Sequence, residues 1–190
     1  MKSTLNIETY DLPLATRECC EDFSVYNGEN TNLRRVQKRS LEIMVEVDRI
    51  FRKYGIEYWL IGGSLIGAVR HGGFIPWDDD IDIAVQHKDI KKIRRALLAE
   101  LPERFVYQDW TTDKNYFLDS VVKVRDKKSH FPIYVYRGFK EQGLLIDIIP
   151  WERIPSTDFK KFILNVNKYP YLRKKEISIS GTTSHNLSGI

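Results

Sequence analysis

Four of the five residues Asp78-Asp79-Asp80-Ile81-Asp82 are carboxylates, and the run passes directly into the apolar Ile83-Ala84-Val85. That junction constrains the fold more than any other feature of the chain. A short β-branched stretch such as 81–85 reads as a strand, and a strand requires a sheet to be stable. Asp80 and Asp82 are two apart, so in extended backbone both project from one face. Asp78 joins them if the strand geometry reaches back that far, and Asp79 is then expected to face away. Two carboxylates on one face repel unless one is protonated or a cation lies between them. Hard carboxylate oxygens favour Mg²⁺ or Mn²⁺, particularly where phosphate oxygens complete the shell. A solvated acidic loop would explain the charge alone. Against it, Asp82 lies between Ile81 and Ile83, and acidic residues are depleted from strands.

About twenty residues upstream, the aromatic and β-branched stretch 56–61 reads as a strand running into Gly62-Gly63-Ser64. A strand-to-helix turn of this composition presents backbone N–H groups that can receive phosphate. Gly-Gly-Ser alone is a common turn; beside a same-face Asp pair it points to a metal–phosphate site. A third carboxylate, Asp147, sits inside the apolar Leu144-Leu145-Ile146-Asp147-Ile148-Ile149. A buried unpaired carboxylate costs several kcal/mol, so Asp147 needs a cation, an arginine or a metal beside it. A structural salt bridge and a catalytic role both satisfy that need. Lys123 and Arg125, two apart, suit either phosphate binding or a solvated strand edge.

Around these motifs the remaining pattern is that of one domain. Leu33, Val36, Leu41, Met44, Val47, Phe51 and Tyr54 recur at helical spacing ahead of Gly55, which predicts a helix over 32–54 with a glycine C-cap. A short helix is expected over 65–70, a loop over 74–77 around Pro76, and a helix over 89–101. Further strands are expected at 105–107, 117–124, 131–136 and 144–149. Ser156 is placed to cap a helix carrying Phe159, Phe162, Ile163 and Val166. Residues 1–31 read as an arm with little regular structure, 32–176 as the domain, and 177–190 as a loose polar tail. The class is α/β or α+β.

Composition narrows the function. A net charge of +4 over 190 residues gives no basic track of the kind nucleic acid requires. No stretch approaches the ~20 apolar residues of a membrane span, and the acidic first twenty residues do not read as a secretory signal. The adjacent Cys19-Cys20 offers no disulfide framework, so a cytoplasmic location is expected. Lys168, Arg173, Lys174 and Lys175 with Tyr169 and Tyr171 suit peripheral contact with a membrane face, and equally a solvated helix end.

Read continuously, Gly62-Gly63-Ser64-Leu65-Ile66-Gly67-Ala68-Val69-Arg70-His71-Gly72-Gly73-Phe74-Ile75-Pro76-Trp77-Asp78-Asp79-Asp80-Ile81-Asp82 resembles the signature of the LicD family. That family includes bacterial phosphocholine transferases and the fukutin-related proteins, within the DNA polymerase β-like nucleotidyltransferase superfamily. Lys123-Val124-Arg125-Asp126-Lys127 and Ile146-Asp147-Ile148-Ile149-Pro150 are similar to later family segments, so the resemblance covers roughly 33–155. It implies an α+β fold, a nucleotidyltransferase-like mixed β-sheet flanked by helices. It also implies metal ligation by Asp80 and Asp82, with Asp147 the third acidic residue and Asp78 a further ligand. Gly62, Gly63 and Ser64 would face nucleotide phosphates, with Arg70, His71, Lys123 and Arg125 close by. The implied reaction moves phosphocholine or a related phospho-group from a CDP-linked donor, CDP-choline first, to a glycan or lipid-linked glycan acceptor. An enzyme of this kind would work in the cytoplasm at the inner membrane face. Because family members usually continue well past the third acidic segment, the alternative is a non-catalytic or truncated nucleotide-binding module of the same fold.

Overall fold

The structure is a computed structural model that describes residues 22–118 and 121–152. Its longest element is α2 (Asn32–Tyr54), preceded by the single-turn α1 (Ser24–Asn27). The caps of α2 are those its sequence asks for. The Thr31 hydroxyl accepts from Arg34 N–H at 3.1 Å, and Gly55 closes the helix at φ +58°, a conformation that costs glycine little. The buried stripe is Gln37, Ser40, Ile43, Met44, Val47, Ile50 and Phe51. Leu41, expected on that face, is 48% exposed.

The other elements are β1 (Tyr58–Leu60), α3 (Gly62–His71), β2 (Asp82–Gln86), α4 (Ile90–Glu100), β3 (Phe105–Gln108), β4 (Val122–Asp126) and β5 (Leu145–Trp151). Five strands form one mixed sheet in the order β1-β2-β5-β4-β3. Only β2 and β5 run parallel; the other neighbouring pairs are antiparallel. The class is α+β, with a mixed five-stranded sheet and helices. Alternation along the strands turns Ile83, Val85, Ile146, Ile148, Val122 and Val124 toward α2 and α4, where they form the core with Ile43, Val47, Ile50, Phe51, Ile93 and Leu97. The opposite face carries Asp82, Asp147, Lys123 and Arg125.

Several expectations are corrected. Residues 131–136 form no strand but an irregular stretch ending in a 3-10 turn, Tyr134–Tyr136. Pro132 has no N–H to give a ladder, and both edges of β4 and of β5 are already paired. The strand expected over 117–124 begins only at Val122 and runs on to Asp126. Within the expected N-terminal arm, α1 is helical, and Tyr26 and Phe23 pack edge-on against Trp77 at 5.5 and 6.1 Å. No helix among the described residues is long and apolar enough to cross a membrane. Cys19-Cys20, the Ser156-capped helix, the basic-aromatic patch at 168–175 and the polar tail lie outside the described residues.

Candidate active site

The site is built on one row across the sheet. Parallel pairing of β2 with β5 sets Asp82 opposite Asp147, and antiparallel pairing of β5 with β4 sets Asp147 opposite Lys123. Gln108 of β3 ends the row beside Lys123. The Asp147 N–H donates to the Ile81 carbonyl at 2.9 Å, fixing the register where the two acidic strands begin.

The acidic run is not an extension of β2. Ile81 is buried, but the strand starts at Asp82, so strand alternation does not govern Asp78, Asp79 and Asp80. The three carboxylates gather instead, each offering an oxygen within 4.8 Å of the others. Asp79, expected to face away, is part of this group, and it also lines a cavity with Asp80 and Asp147. The chemistry of the donors fits a hard divalent ion: carboxylate oxygens alone, close enough to share one centre. Electrostatics agree. Although Asp80 keeps exposed surface, crowding by protein atoms and then by Asp82, Asp78, Asp79 and Asp147 raises its carboxyl from 3.8 to about 6. Asp82 is raised as well, by burial first and by Asp147 second, with Lys123 opposing. Groups pushed toward protonation by like charge are groups that a cation would relieve.

Asp147 has found the partner its apolar strand demanded. Lys123, fully buried, donates to both Asp147 oxygens at 2.5 and 2.8 Å, and its ammonium lies 4.5 Å from the Tyr136 ring centre. Burial pulls the Lys123 ammonium below the ordinary lysine range, while Asp147 works against that shift. Because β4 is an interior strand, Lys123 and Arg125 do not sit on a solvated edge. Arg125 is buried too, donating from Nε to Gln108 at 2.6 Å and from Nη1 to the Gly143 carbonyl at 2.7 Å. Its Nη2 finds no hydrogen-bond partner among the described residues.

Gly62, Gly63 and Ser64 form the first turn of α3, earlier than the helix expected from 65. The first N–H groups of a helix have no intrahelical acceptor, so this turn presents donors toward the acidic group. The fit is close: a Cβ on Gly63 would stand 2.3 Å from an Asp78 carboxylate oxygen, and Gly62, at φ +56°, lies nearest Asp82. Ser64 is held by the strand itself, its Oγ accepting from Asp82 N–H at 2.9 Å. Arg70 and His71 are at the far end of α3 and exposed. His71 packs edge-on against Phe23 and Trp77 at 5.6 and 6.4 Å, next to the start of the acidic run rather than at its carboxylates.

One contributor escaped the sequence reading. Gln37, fully buried on α2, donates from Nε2 to the Asp78 carbonyl at 2.7 Å and so ties the acidic loop to the longest helix. The available signal was a glutamine inside an apolar stripe, which obliges a buried amide to find partners. Glu152, just past the end of β5, pairs with His87 Nδ1 at 2.7 Å.

Comparison with known proteins adds the lineage. The family described as LicD/FKTN/FKRP, nucleotidyltransferase domain, matches residues 55–175. The lipopolysaccharide cholinephosphotransferase LicD of Haemophilus influenzae is 29% identical over 126 residues, covering 60% of this chain and 48% of that protein. Human ribitol 5-phosphate transferase FKRP is 56% identical over 46 residues, 24% of this chain and 9% of that protein. The chain therefore spans about half the length of the first relative and a small part of the second.

Proposed function

The chain belongs to the LicD/FKTN/FKRP nucleotidyltransferase-domain family, and from that premise we propose that it is a metal-dependent phosphotransferase. It moves phosphocholine, or a related phospho-alditol group, from a CDP-linked donor to a hydroxyl of a cell-surface glycan precursor. The observation that carries this reading is the register that sets Asp82 beside Asp147, next to the Asp78–Asp80 group and the N-terminal turn of α3.

In this reading Asp80 and Asp82, with Asp78, hold Mg²⁺ or Mn²⁺, and Asp147 supplies the third acidic strand position. The ion, when bound, neutralises charge on the donor diphosphate. The N–H groups of Gly62 and Gly63 receive phosphate oxygens, and the Asp82–Ser64 hydrogen bond keeps that turn in register with the carboxylates. The acceptor oxygen forms the new P–O bond, the bond to CMP breaks, and CMP leaves with the electron pair. One carboxylate among Asp80, Asp82 and Asp147 takes the acceptor proton. A lipid-linked acceptor would place the protein at the cytoplasmic membrane face.

The test is release of CMP from CDP-choline with Mg²⁺ or Mn²⁺ and a lipid-linked glycan acceptor. Turnover that Asp82→Asn reduces at least ~10²-fold supports the transferase, on the scale of losing a transition-state charge stabiliser. A second reading is a nucleotide-binding module without turnover. Nucleotide binding with no CMP release from any CDP-linked donor would establish it.

A further inference from the structure

A second cavity, of about 540 Å³, lies between α2 and α3, and none of the roles above uses it. Its size is that of a small-ligand pocket. Helical spacing on α3 separates it from the acidic group. Gly63 and Gly67 turn toward Asp78 and the backbone of 73–75, whereas Ser64 and Ala68, one turn apart on the next face, line the cavity. The body of the cavity is hydrocarbon, supplied by Leu41, Met44, Leu60, Ala68, Phe74 and Ile81. Leu41 thereby acquires a place: its spacing on α2 assigns it to the core, yet it stands half-exposed in this wall.

The charge on the lining is of one sign. Arg34 and Lys38, one turn apart on α2, take part in it, and no aspartate or glutamate does among the described residues. Both cations contact Glu29, Arg34 at 3.6 Å. The Glu29 side chain is 67% exposed, so these are surface pairs, held too weakly to exclude another anion. The neutral polar atoms of the wall already have partners: the Tyr58 hydroxyl donates to Asp48 at 2.8 Å, and Ser64 Oγ accepts from Asp82 N–H at 2.9 Å. A nucleotide or other polyanion would press charge against hydrocarbon, where it is costly. A cationic amphiphile would meet Arg34 and Lys38, and a neutral one would gain nothing from them. An anionic head on a single apolar chain answers both the two cations and the hydrocarbon body.

We infer that this cavity is a second ligand site, separate from the acidic group, for a free medium-chain carboxylate. Arg34 and Lys38 receive its head, and Leu41, Met44 and Phe74 receive its chain. The fold carries its own reporter, because Met44 lines the cavity and the only other methionine of the chain is Met1. The test is a titration of the full chain, labelled with ¹³C at its methionine methyls and kept in chelator, with decanoate. The Met44 methyl signal is expected to shift and saturate while that of Met1 stays in place. Decyltrimethylammonium, with the same chain and the opposite charge, should bind at least ~10-fold more weakly. Lys38→Gln should weaken decanoate about 2–5-fold, the scale of a solvent-exposed ion pair. Ala68→Trp fills the cavity from an exposed helix position and should abolish the shift, whereas Asp82→Asn should leave decanoate affinity unchanged. An unmoved Met44 signal, equal binding of the two amphiphiles or an affinity indifferent to Lys38→Gln overturns the inference. So does a shift produced by phosphatidylglycerol vesicles and not by decanoate, or binding lost in Asp82→Asn, which would place the ligand at the carboxylates.

Discussion

Replacing Asp80 by asparagine should stabilise the metal-free protein at neutral pH while removing its response to metal. In the folded chain the Asp80 carboxyl is raised from 3.8 to about 6. At 1.36 kcal/mol per pKa unit the shift has a ceiling of about 3 kcal/mol. Asp80 retains exposed surface, and solvent screening reduces the figure to about 1–2 kcal/mol. The sign follows from proton binding: between the two values the folded state holds a proton that the unfolded state has lost. Stability from this group is therefore complete below pH 3.8 and lost as pH rises through about 6. Asparagine cannot ionise, so in chelator at pH 7 Asp80→Asn should melt roughly 2–8 °C above wild type, at about 2–4 °C per kcal/mol. Near pH 4 the two should coincide. Excess Mn²⁺ should raise the wild-type midpoint and leave the variant nearly unmoved. Thermal melts at pH 4, 5, 6 and 7, with chelator or Mn²⁺, measure all of this. A variant less stable than wild type in chelator at pH 7, or a gap independent of pH, would refute the reasoning.

Lys123→Met removes a buried ammonium and strands Asp147 beside Asp82; the loss should be about 3 kcal/mol, read as a lower urea midpoint at unchanged m-value. Gln37→Leu releases the Asp78 carbonyl, with a cost of about 1–3 kcal/mol, and should weaken Mn²⁺ binding by roughly 10-fold as a lost outer support of the ligands; a paramagnetic-resonance titration reads the change. In Gly67→Ala, alanine's better helix propensity is worth under ~1 kcal/mol, but its Cβ would stand 2.5 Å from the Gly73 carbonyl oxygen and 2.6 Å from Ile75 N. The clash is with backbone, so a net loss of about 1–3 kcal/mol is expected in chemical denaturation.

Local features of this fold were legible wherever the sequence carried its own caps and period. α2 runs over 32–54 and closes at Gly55 where the pattern places it, and Asp147 found its cation because an apolar strand leaves a carboxylate few options. Long-range features were not. The β2–β5 pairing joins residues sixty-five apart in sequence, and nothing local in either strand announces the register. Strand order decides whether Lys123 and Arg125 lie on an edge or inside, and here both are enclosed by β3 and β5. Phe131–Tyr136 carries the aromatic and β-branched residues of a strand, yet β4 and β5 already have a neighbour on each side; it became a wall of the cavity beside Asp79, Asp80 and Asp147 instead. Asp79 was misplaced for a related reason: alternation was applied to three residues that precede the strand.

The central claim is that the acidic run holds the metal against the donor phosphates. Anomalous scattering from crystals grown with Mn²⁺ and CDP-choline tests it most directly. The account predicts a peak within about 2.0–2.3 Å of carboxylate oxygens of both Asp80 and Asp82, with the diphosphate at the N-terminal turn of α3. A peak elsewhere, or nucleotide bound with no metal at Asp80 and Asp82, would contradict it.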